Sequence, residues 1–490
     1  MTTITFSEIP DNWRVPGTYT EIRPNYRDMG LVDYPTRVLL VGQKLAAGTA
    51  AAGTVYPLVR KGQAATLFGL GSLASEMAEA FLAANSSTDV DIIALADASA
   101  STKATGSIAL TGTATAAGTI AAYVGGRRVT ATVAAGATAA AAATALAAAI
   151  TADTAMAVTA AAATSTVTLT AKHGGLVGND IDLRLNRFAD ESLPAGLSAT
   201  VTAMSGGAGT PAIADVLAAI STTRHTDIVI PWTDSATLAV LTPELAARYT
   251  AMGRRDMHAW GAKAGTSGAL AAHGAVLNDA HLTLIGAYRS PSSPWCWAAA
   301  LAGVAVFHLT NDPARQLRSL VLPGILPPDA VDAWSPTEAD NLLRDGYSTW
   351  LRTDDGAVVL ERVITTYQRS TLGIEDPAWL DVMVPRVMTR IRYDWSSYVG
   401  LTWPRAKLVD DGSLAAVHDP EAVTPGRLDG AWAARCQLYG RRGWIENIEA
   451  MLLQSTHVRD DSDRNRVNSR KRVQIVGNLM VLAERIEFQA

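Results

Sequence analysis

Cysteine and charge are both scarce in this sequence. Two cysteines, Cys296 and Cys436, occur among 490 residues, which is too few for a disulfide framework or a cysteine-ligated zinc site. Charged residues make up 18% of the chain, below the roughly 25% that is usual. The formal net charge of -5 argues against a protein whose main task is to grip nucleic acid, because such proteins usually carry a basic surface.

Long apolar runs are missing as well. The longest uncharged stretch, residues 129–152, consists mostly of alanine, threonine and glycine, which enter a membrane far less favourably than leucine or isoleucine. Residues 1–8 have neither the basic nor the apolar region of a secretory signal. We therefore expect neither membrane insertion nor secretion. Hydrophobic residues nevertheless form 48% of the chain, which is enough for a sizeable core.

Recognisable catalytic motifs are absent too. No glycine-rich loop ends in Gly-Lys-Ser/Thr, residues 69–72 lack the third glycine of a dinucleotide fingerprint, and no Gly-x-Ser-x-Gly occurs. No two histidines have the spacing of a metal-binding helix. Asp180 with Asp182, and Asp461 with Asp463, are better explained as solvated turns than as metal sites. The sequence thus predicts a protein that is not an enzyme and has no cofactor.

One enzymatic alternative stays open on the residues alone. Asp91 and Asp227 lie in predicted strands, and ligands of open α/β sheets bind in a crevice at the ends of strands. The chain would then be an α/β enzyme with an unrecognised active site.

The order of predicted elements indicates an α/β core. Residues 38–42 and 90–96 are apolar runs typical of buried strands, and residues 63–84 carry apolar side chains at helical spacing. This order predicts a βαβ unit. Similar elements follow residue 210, with helices predicted at 212–221, 243–252, 268–277, 295–309 and 377–398, and strands at 227–231, 281–285 and 361–367.

Residues 97–210 differ in composition from the rest. Alanine and threonine dominate, and Asp153 is the only charged residue between positions 129 and 171. An alanine-rich helix is predicted at 138–150, and strands are predicted at 107–111, 119–123, 167–171 and 181–185. We interpret this region as an inserted β-rich α+β module, with a low-complexity linker as the alternative.

Both ends of the chain have strand patterns. Ile4 and Phe6 alternate with polar residues near the start, and Ile486 and Phe488 alternate with charged residues near the end. Residues 473–482 form a nearly continuous apolar run, and a short helix is predicted at 444–453.

The predicted fold class is a multidomain α+β and α/β chain. An α/β core is interrupted by the inserted module and is followed by a C-terminal α+β domain, with extended strand arms at both termini. The predicted segments are an N-terminal arm (1–30), the first part of the core (31–96), the inserted module (97–210), the second part of the core (211–385), the C-terminal domain (386–472) and a C-terminal strand arm (473–490).

Several segments, in this order, resemble one known family. They are 9–22, 365–373, 379–382, 393–412, 424–427 and 443–447. Together they are similar to the tail sheath proteins of contractile-tailed bacteriophages, most closely those of Mu-like phages. The resemblance covers most of the chain except the alanine-rich insertion. It departs at Ala406, where the family usually has histidine.

The resemblance implies a structural subunit that forms a helical homo-oligomer around an inner tail tube. Contraction by subunit rearrangement would drive the tube through the host cell envelope. The implied partners are other copies of the chain, the tail tube protein, and baseplate and tail terminator proteins, with neither nucleic acid nor membrane insertion. The implied location is the virion tail, assembled in the host bacterial cytoplasm. The sheath of a tailocin or related contractile injection system is the alternative within this class.

The resemblance also implies roles for particular residues. The N-terminal arm would donate a strand to a neighbouring subunit through Ile4 and Phe6. The C-terminal arm, with Ile486 and Phe488, would be the other donated strand or the acceptor of the first, and residues 10–17 and 465–472 would be connectors. The inserted module would lie on the outside, and the C-terminal domain would face the tube. Candidate contacts to an acidic tube surface are Arg459, Arg464, Arg466 and Lys471.

Overall fold

A computed structural model of the chain describes residues 8–10, 12–21, 30–419 and 421–489. They divide into two compact units. The larger unit comprises Pro35–Thr389 with Gly477–Ala490, and the smaller unit comprises Met1–Tyr34 with Arg390–Val476. Ile4 and Phe6 lie outside the described residues.

The strands and helices are numbered in chain order. The strands are β1 (Arg37–Gln43), β2 (Val55–Pro57), β3 (Asp89–Leu95), β4 (Lys103–Gly112), β5 (Gly118–Val124), β6 (Arg127–Val133), β7 (Val158–Ala163), β8 (Thr166–Gly174), β9 (Leu183–Leu185), β10 (Leu197–Ser205), β11 (Asp227–Val229), β12 (His258–Lys263), β13 (Leu282–Gly286), β14 (Tyr347–Arg352), β15 (Val358–Arg362), β16 (Lys407–Leu408), β17 (Ala422–Val423), β18 (Thr456–Arg459) and β19 (Val467–Arg470). The α-helices are α1 (Gln63–Phe68), α2 (Leu73–Ala84), α3 (Ala139–Ala152), α4 (Ile213–Ala219), α5 (Ser235–Tyr249), α6 (Ser267–Gly274), α7 (Pro294–Asn311), α8 (Pro336–Arg344), α9 (Met383–Thr402), α10 (Leu414–His418), α11 (Pro425–Arg441) and α12 (Ile448–Leu453).

An eight-stranded sheet forms the centre of the larger unit. Its strand order is β15-β14-β13-β12-β11-β1-β3-β2, and the six strands from β14 to β3 in that order are parallel. Strands β1 and β3 are buried along nearly their whole length. This agrees with their continuous apolar sequences, because parallel strands are covered on both faces. The predicted βαβ unit is confirmed, since β1 and β3 are parallel neighbours.

Helices cover the two faces of this sheet. The chain moves one way across the sheet from β1 to β3 and the opposite way from β12 to β13, so right-handed crossovers put α2 and α6 on opposite faces. Helix α7 packs against α2, and α8 packs against α6. The small residues of α7 permit the close approach, because a Cβ on Gly303 would lie 2.8 Å from the Cβ of Ala84.

The strands between positions 103 and 205 form two smaller sheets. Their strand orders are β10-β4-β8-β7 and β6-β5-β9. Helix α3 begins after Thr138, whose hydroxyl accepts a hydrogen bond from the Ala141 amide, and it buries Leu146 and Ile150. The alanine-rich helix and the four strands predicted here are confirmed.

A buried ion pair lies at the centre of the smaller unit. Asp394 of α9 accepts hydrogen bonds from Arg435 Nε at 2.9 Å, from the Tyr439 hydroxyl at 2.5 Å and from the Val32 amide at 2.8 Å. Arg435 also donates to the Gly30 carbonyl at 3.0 Å. Both charged side chains are almost completely buried. The pair therefore joins α9, α11 and the segment around residue 30.

Several predicted helix boundaries are wrong. The helix predicted at 63–84 is two helices, because Gly69 and Gly71 adopt positive φ angles between them. The helix predicted from 243 begins at Ser235, since Asp234 caps it by accepting from the Thr237 amide at 3.0 Å. The helix predicted at 444–453 begins at Ile448, after Asn447 with φ 52°.

The region around 361–382 also differs from its prediction. Strand β15 ends at Arg362 instead of continuing to 367. Residues 377–382 form a turn and an isolated bridge instead of a helix, because Asp381 pairs with Ile364 and the Thr365 amide donates to the Leu380 carbonyl at 2.8 Å. A bidentate pair between Arg362 and Asp381, at 3.0 and 3.1 Å, reinforces this arrangement. Helix α9 consequently begins at Met383 and not at 377.

We expect Arg435→Ala to destabilise the smaller unit by about 3–5 kcal/mol, because it leaves the Asp394 carboxylate buried without its counter-ion. Lys407→Ala is the matched control, since it removes the exposed pair with Asp419 in the same unit and is expected to cost no more than about 1 kcal/mol. Urea unfolding followed by near-ultraviolet circular dichroism measures both. Equal losses in the two variants would contradict the structural role of Arg435.

Candidate functional site

The crevice that open α/β sheets use for ligands is filled in this protein. Such ligands bind at the carboxyl ends of strands where the winding direction reverses, and here that point lies between β1 and β11. Gln43 ends β1, and its amide donates to Asp97 Oδ1 at 2.8 Å and to the Gly174 carbonyl at 2.9 Å. Trp232, after β11, donates from Nε1 to Gln43 Oε1 at 3.4 Å. The end of β8 therefore occupies the crevice.

His173 and Asp97 complete this network. The Leu73 amide donates to His173 Nε2 at 3.1 Å, so that nitrogen accepts and Nδ1 donates to Asp97 Oδ1 at 2.9 Å. The Gly174 amide donates to the other oxygen of Asp97 at 2.6 Å. Burial alone would raise the pKa of Asp97, but the hydrogen bonds from His173, Gly174 and Gln43 outweigh it and lower the pKa.

Asp91 and Asp227 lie at the other end of the sheet. Asp227 begins β11 and accepts from Trp260 Nε1 at 2.8 Å and from the Arg386 guanidinium. Asp91, near the start of β3, accepts from His225 Nε2 at 2.8 Å and pairs with the Arg37 guanidinium. These carboxylates serve structural ion pairs at the amino ends of the strands. The enzymatic alternative rested on Asp91 and Asp227, and neither carboxylate lies at the end of the sheet where ligands bind.

Asp182, one member of the acidic pair at 180 and 182, is engaged by a neighbouring arginine. Asp182 makes a bidentate pair with Arg184, at 2.5 and 3.0 Å. Burial raises the pKa of Asp180 to about 6. Within the described ranges, no three histidine, cysteine, aspartate or glutamate side chains are grouped as metal ligands. None of the described helices is long and apolar enough to cross a membrane.

A surface cleft of about 270 Å³ lies beside helices α2 and α7. We call it the α2–α7 cleft, and its lining residues are Glu76, Glu79, Ala80, Ala83, Gly125, Gly126, Arg127, Ser292, Cys296, Pro323, Gly324, Ile325 and Leu326. Glu76 accepts a hydrogen bond from Trp295 Nε1 at 2.7 Å. Burial raises the pKa of Glu76 to about 7, and the hydrogen bond and the nearby charge of Arg127 only partly oppose this.

The C-terminal tail is held at its start and exposed at its end. Asn478 accepts from the Gln316 amide at 3.2 Å and donates to the Ala314 carbonyl at 3.0 Å. No strand follows Arg470 within the described residues, so the strand pattern predicted at the C-terminus is not realised within a single chain. The side chains of Ile486 and Phe488 are 91% and 87% exposed.

The candidate tube contacts lie in and just after a hairpin. Strands β18 and β19 pair antiparallel, so part of the connector predicted at 465–472 is a strand. Arg459 pairs with Asp410 at 2.9 Å, and Arg466 donates to Asn468 at 2.8 Å. Arg464, in the turn, is exposed. The hairpin thus brings the three predicted arginines together.

Lys471 has a different environment from the three arginines. Its ammonium nitrogen lies 4.6 Å from the centre of the Trp395 ring and 5.2 Å from that of Trp432. Burial lowers the pKa of Lys471. The alternation of Thr456-His457-Val458-Arg459 was the sequence signal for this hairpin, and the charged residues that follow it concealed the pairing.

Comparison with known proteins identifies the family. Residues 206–366 match the family model described as the phage tail sheath protein central domain. The chain is 33% identical over 485 residues to the Mu-like prophage FluMu tail sheath protein of Haemophilus influenzae, covering 99% of each protein. The chain belongs to the phage tail sheath protein family. It is therefore a structural tail sheath protein of a contractile, phage-like system, and the resemblance found in the sequence is confirmed.

One solved structure shows the same fold at low sequence identity. A chain in the baseplate of the anti-feeding prophage superposes with a TM-score of 0.50 and 10% identity, covering 97% of this sheath protein and 99% of that chain. The sheath tail protein of Listeria innocua gives a TM-score of 0.49 at 13% identity, covering 92% and 94%. The predicted mixed α/β multidomain architecture with several sheets is confirmed. The arm residues and the tube contacts stay predictions.

We expect Glu76→Gln to stabilise the protein at pH 8 and to have little effect at pH 4. The folded state keeps a proton on Glu76 up to about pH 7, whereas the unfolded chain releases it near its ordinary pKa, so stability falls as pH rises between these values. The gain at pH 8 is at most about 3 kcal/mol.

Thermal unfolding at both pH values measures this effect. The charged or titratable groups nearest Glu76 are Arg127, Lys172 and Glu79, together with the thiol of Cys296. Glu79→Gln on the exposed side of the same helix is the control, and it is expected to retain the loss of stability with rising pH because burial, the main cause of the raised pKa of Glu76, is unchanged. An identical pH dependence in wild type and Glu76→Gln would disprove the assignment.

Proposed function

We propose that this sheath protein polymerises as a helix around an inner tail tube and contracts by subunit rearrangement to drive the tube through a host cell envelope. The observation that carries the proposal is the match to a Mu-like prophage tail sheath protein over the full length of both chains. No nucleotide-binding motif is found in the sequence. The free energy of contraction would therefore be stored in a metastable extended lattice.

The exposed C-terminal tail supports assembly by strand exchange. Ile486 and Phe488 project from alternate positions between Arg485, Glu487 and Gln489, which is the pattern of a strand with one apolar face. A tail with this pattern gains main-chain hydrogen bonds and apolar burial when it adds to the edge of another copy's sheet. Asn478 would fix the point at which the tail leaves its own subunit.

The β18–β19 hairpin is the acceptor that we propose for a donated strand. A two-stranded sheet is only marginally stable alone, and within the described ranges neither outer edge of this hairpin pairs with a further strand. Val458 on β18 is 55% exposed and would be covered by an incoming strand. On the other face of β18, His457 Nδ1 hydrogen-bonds to Asp429 Oδ1 at 2.8 Å, which attaches the hairpin to α11.

The turn of this hairpin is the tube-facing surface in our proposal. Arg464 is the candidate best placed to meet an acidic tube, because Arg459 and Arg466 have partners in their own chain and Lys471 lies on tryptophan rings. Asp460, Asp461 and Asp463 make the same turn nearly neutral. Its electrostatic attraction to a tube is therefore local and short in range.

We expect Ile486→Ser combined with Phe488→Ser to abolish polymerisation and to leave a folded monomer. The substitutions remove the apolar face of the donated strand but touch no described contact of the folded chain. Arg485→Ser with Glu487→Ser is the matched control, since it alters the alternate positions and is expected to retain assembly.

Electron microscopy and sedimentation of the purified proteins measure the result. Wild type is expected to form long hollow cylinders, and the control variant is expected to do the same. Cylinders formed normally by the Ile486→Ser, Phe488→Ser variant would overturn the strand-donating role of the tail. A wild-type protein that never forms cylinders would instead contradict polymerisation itself.

A further inference from the structure

A tight hairpin at residues 369–375 presents apolar side chains to solvent. The Ser370 amide donates to the Ile374 carbonyl and the Gly373 amide donates to the Ser370 carbonyl, both at 2.9 Å. Gly373 has a φ of 76°, which is the left-handed position that ends a three-residue hairpin loop. Leu372 at the apex is 82% exposed and Ile374 is 65% exposed. We call this segment the tip hairpin.

The base of the tip hairpin is fixed by side chains of the larger unit. Asn278 Oδ1 accepts from the Gln368 and Arg369 amides at 2.8 and 3.0 Å, and Asn278 Nδ2 donates to the Arg369 carbonyl at 2.8 Å. The Gln368 side chain donates to the Gly274 carbonyl, at the end of α6, at 2.9 Å. The hairpin is thus held in one conformation before any partner arrives.

A rigid base under an apolar apex indicates a binding element. Single exposed apolar residues are common and need no explanation. Here two large aliphatic residues two positions apart are exposed on one hairpin, and within the described chain they fill no core. Preorganisation of this kind lowers the entropy cost of docking.

The α2–α7 cleft has the properties of a receptor for this tip. Most of its lining residues are apolar or small, among them Ala80, Ala83, Ile325 and Leu326. Glu79 and Arg127 supply one charge of each sign in the cleft, and Glu76, which also lines it, keeps its proton up to about pH 7. The tip hairpin carries Arg369 and Glu375, cross-strand neighbours of opposite charge beside its apex.

The tip and the cleft are attached to helices on opposite faces of the central sheet. The hairpin is anchored to the end of α6, whereas the cleft is formed by α2 and α7, and right-handed crossovers put α6 and α2 on opposite faces. A contact between two different patches on opposite sides joins copies head to tail and leaves a free patch at each end. Such a contact extends into a filament when its rotation does not close a ring.

We propose that the tip hairpin of one subunit docks in the α2–α7 cleft of a second copy of this chain. Leu372 and Ile374 enter the cleft, Arg369 faces Glu79, and Glu375 faces Arg127. The apolar pair supplies most of the affinity, and the charges at the rim fix the orientation. This inference rests on the proposed polymerisation, but it concerns a contact separate from the exchanged strands.

The first test is Leu372→Glu combined with Ile374→Glu. We expect a folded monomer with an unchanged melting temperature and at least a tenfold higher critical concentration for cylinder formation, measured by sedimentation. Met252→Glu is the matched control, since Met252 is 90% exposed on a different loop, and it is expected to assemble as wild type does. Normal assembly of the double variant would overturn the proposal.

The second test uses the natural thiol of the cleft. Assembled Leu372→Cys is oxidised with copper–phenanthroline and dissolved oxygen, and non-reducing electrophoresis is expected to show disulfide-linked multimers through Cys296. Cys436 is buried. The variant that combines Leu372→Cys with Cys296→Ser is therefore expected to assemble but to migrate as a monomer on the non-reducing gel after the same treatment. Cylinders of Leu372→Cys without this linkage would overturn the tip-to-cleft contact, whereas absence of wild-type cylinders would overturn the proposed polymerisation first.

Discussion

Burial of the parallel strands on both faces is the constraint on which the rest of the larger unit depends. Strands such as β1 and β3 are almost entirely apolar and buried, so each face of the sheet needs a helical layer. Helix α7 meets this need because it is apolar around nearly its whole circumference. Its small residues let α2 pack closely beside it. The α2–α7 layer and the cleft beside it are thus consequences of sheet burial.

The same constraint explains why the sheet has no ligand crevice at its switch point. The carboxyl ends of β1 and β11 would expose polar groups there unless something covered them. Gln43, Asp97 and His173 make hydrogen bonds to one another or to neighbouring main chain, which joins β8 to the core. In many α/β enzymes this end of the sheet binds a ligand. In this protein it instead attaches β8 and the inserted module to the core. At the opposite end of the sheet, Asp91 accepts a hydrogen bond from His225 and Asp227 accepts one from Trp260.

The sequence predicts the parts of this fold that depend on local patterning. The strands β1, β3 and β13 and the alanine-rich helix α3 are predictable because each is a continuous stretch whose composition alone indicates a buried strand or a helix. The sequence did not reveal that residues 377–382 precede helix α9 instead of belonging to it, because the pairing of Asp381 with Ile364 is a tertiary contact. It also did not reveal the β18–β19 hairpin, because Asp460, Asp461 and Asp463 give its turn the composition of a loop.

The candidate assembly surfaces were only partly predictable for a related reason. Ile486 and Phe488 stand out because strand alternation is visible without a partner. Leu372 and Ile374 do not, because their significance lies in exposure and in the rigid base that Asn278 provides. Apolar residues in a sequence are ordinarily assigned to a core. Only the structure distinguishes a core leucine from one held out in solvent.

The two proposed contacts between subunits differ in how they respond to rearrangement. A donated strand is held by main-chain hydrogen bonds whose geometry is local, so it can remain paired while the rest of each subunit rotates. A tip seated in a cleft depends on the relative position of two rigid bodies, and burying its two aliphatic side chains is worth roughly 1.5–3 kcal/mol each. This free energy is small enough for a single tip contact to break and re-form while the other contacts of the lattice hold the subunits. Strand exchange would thus keep subunits linked, while the tip contact would distinguish one packing of the lattice from another.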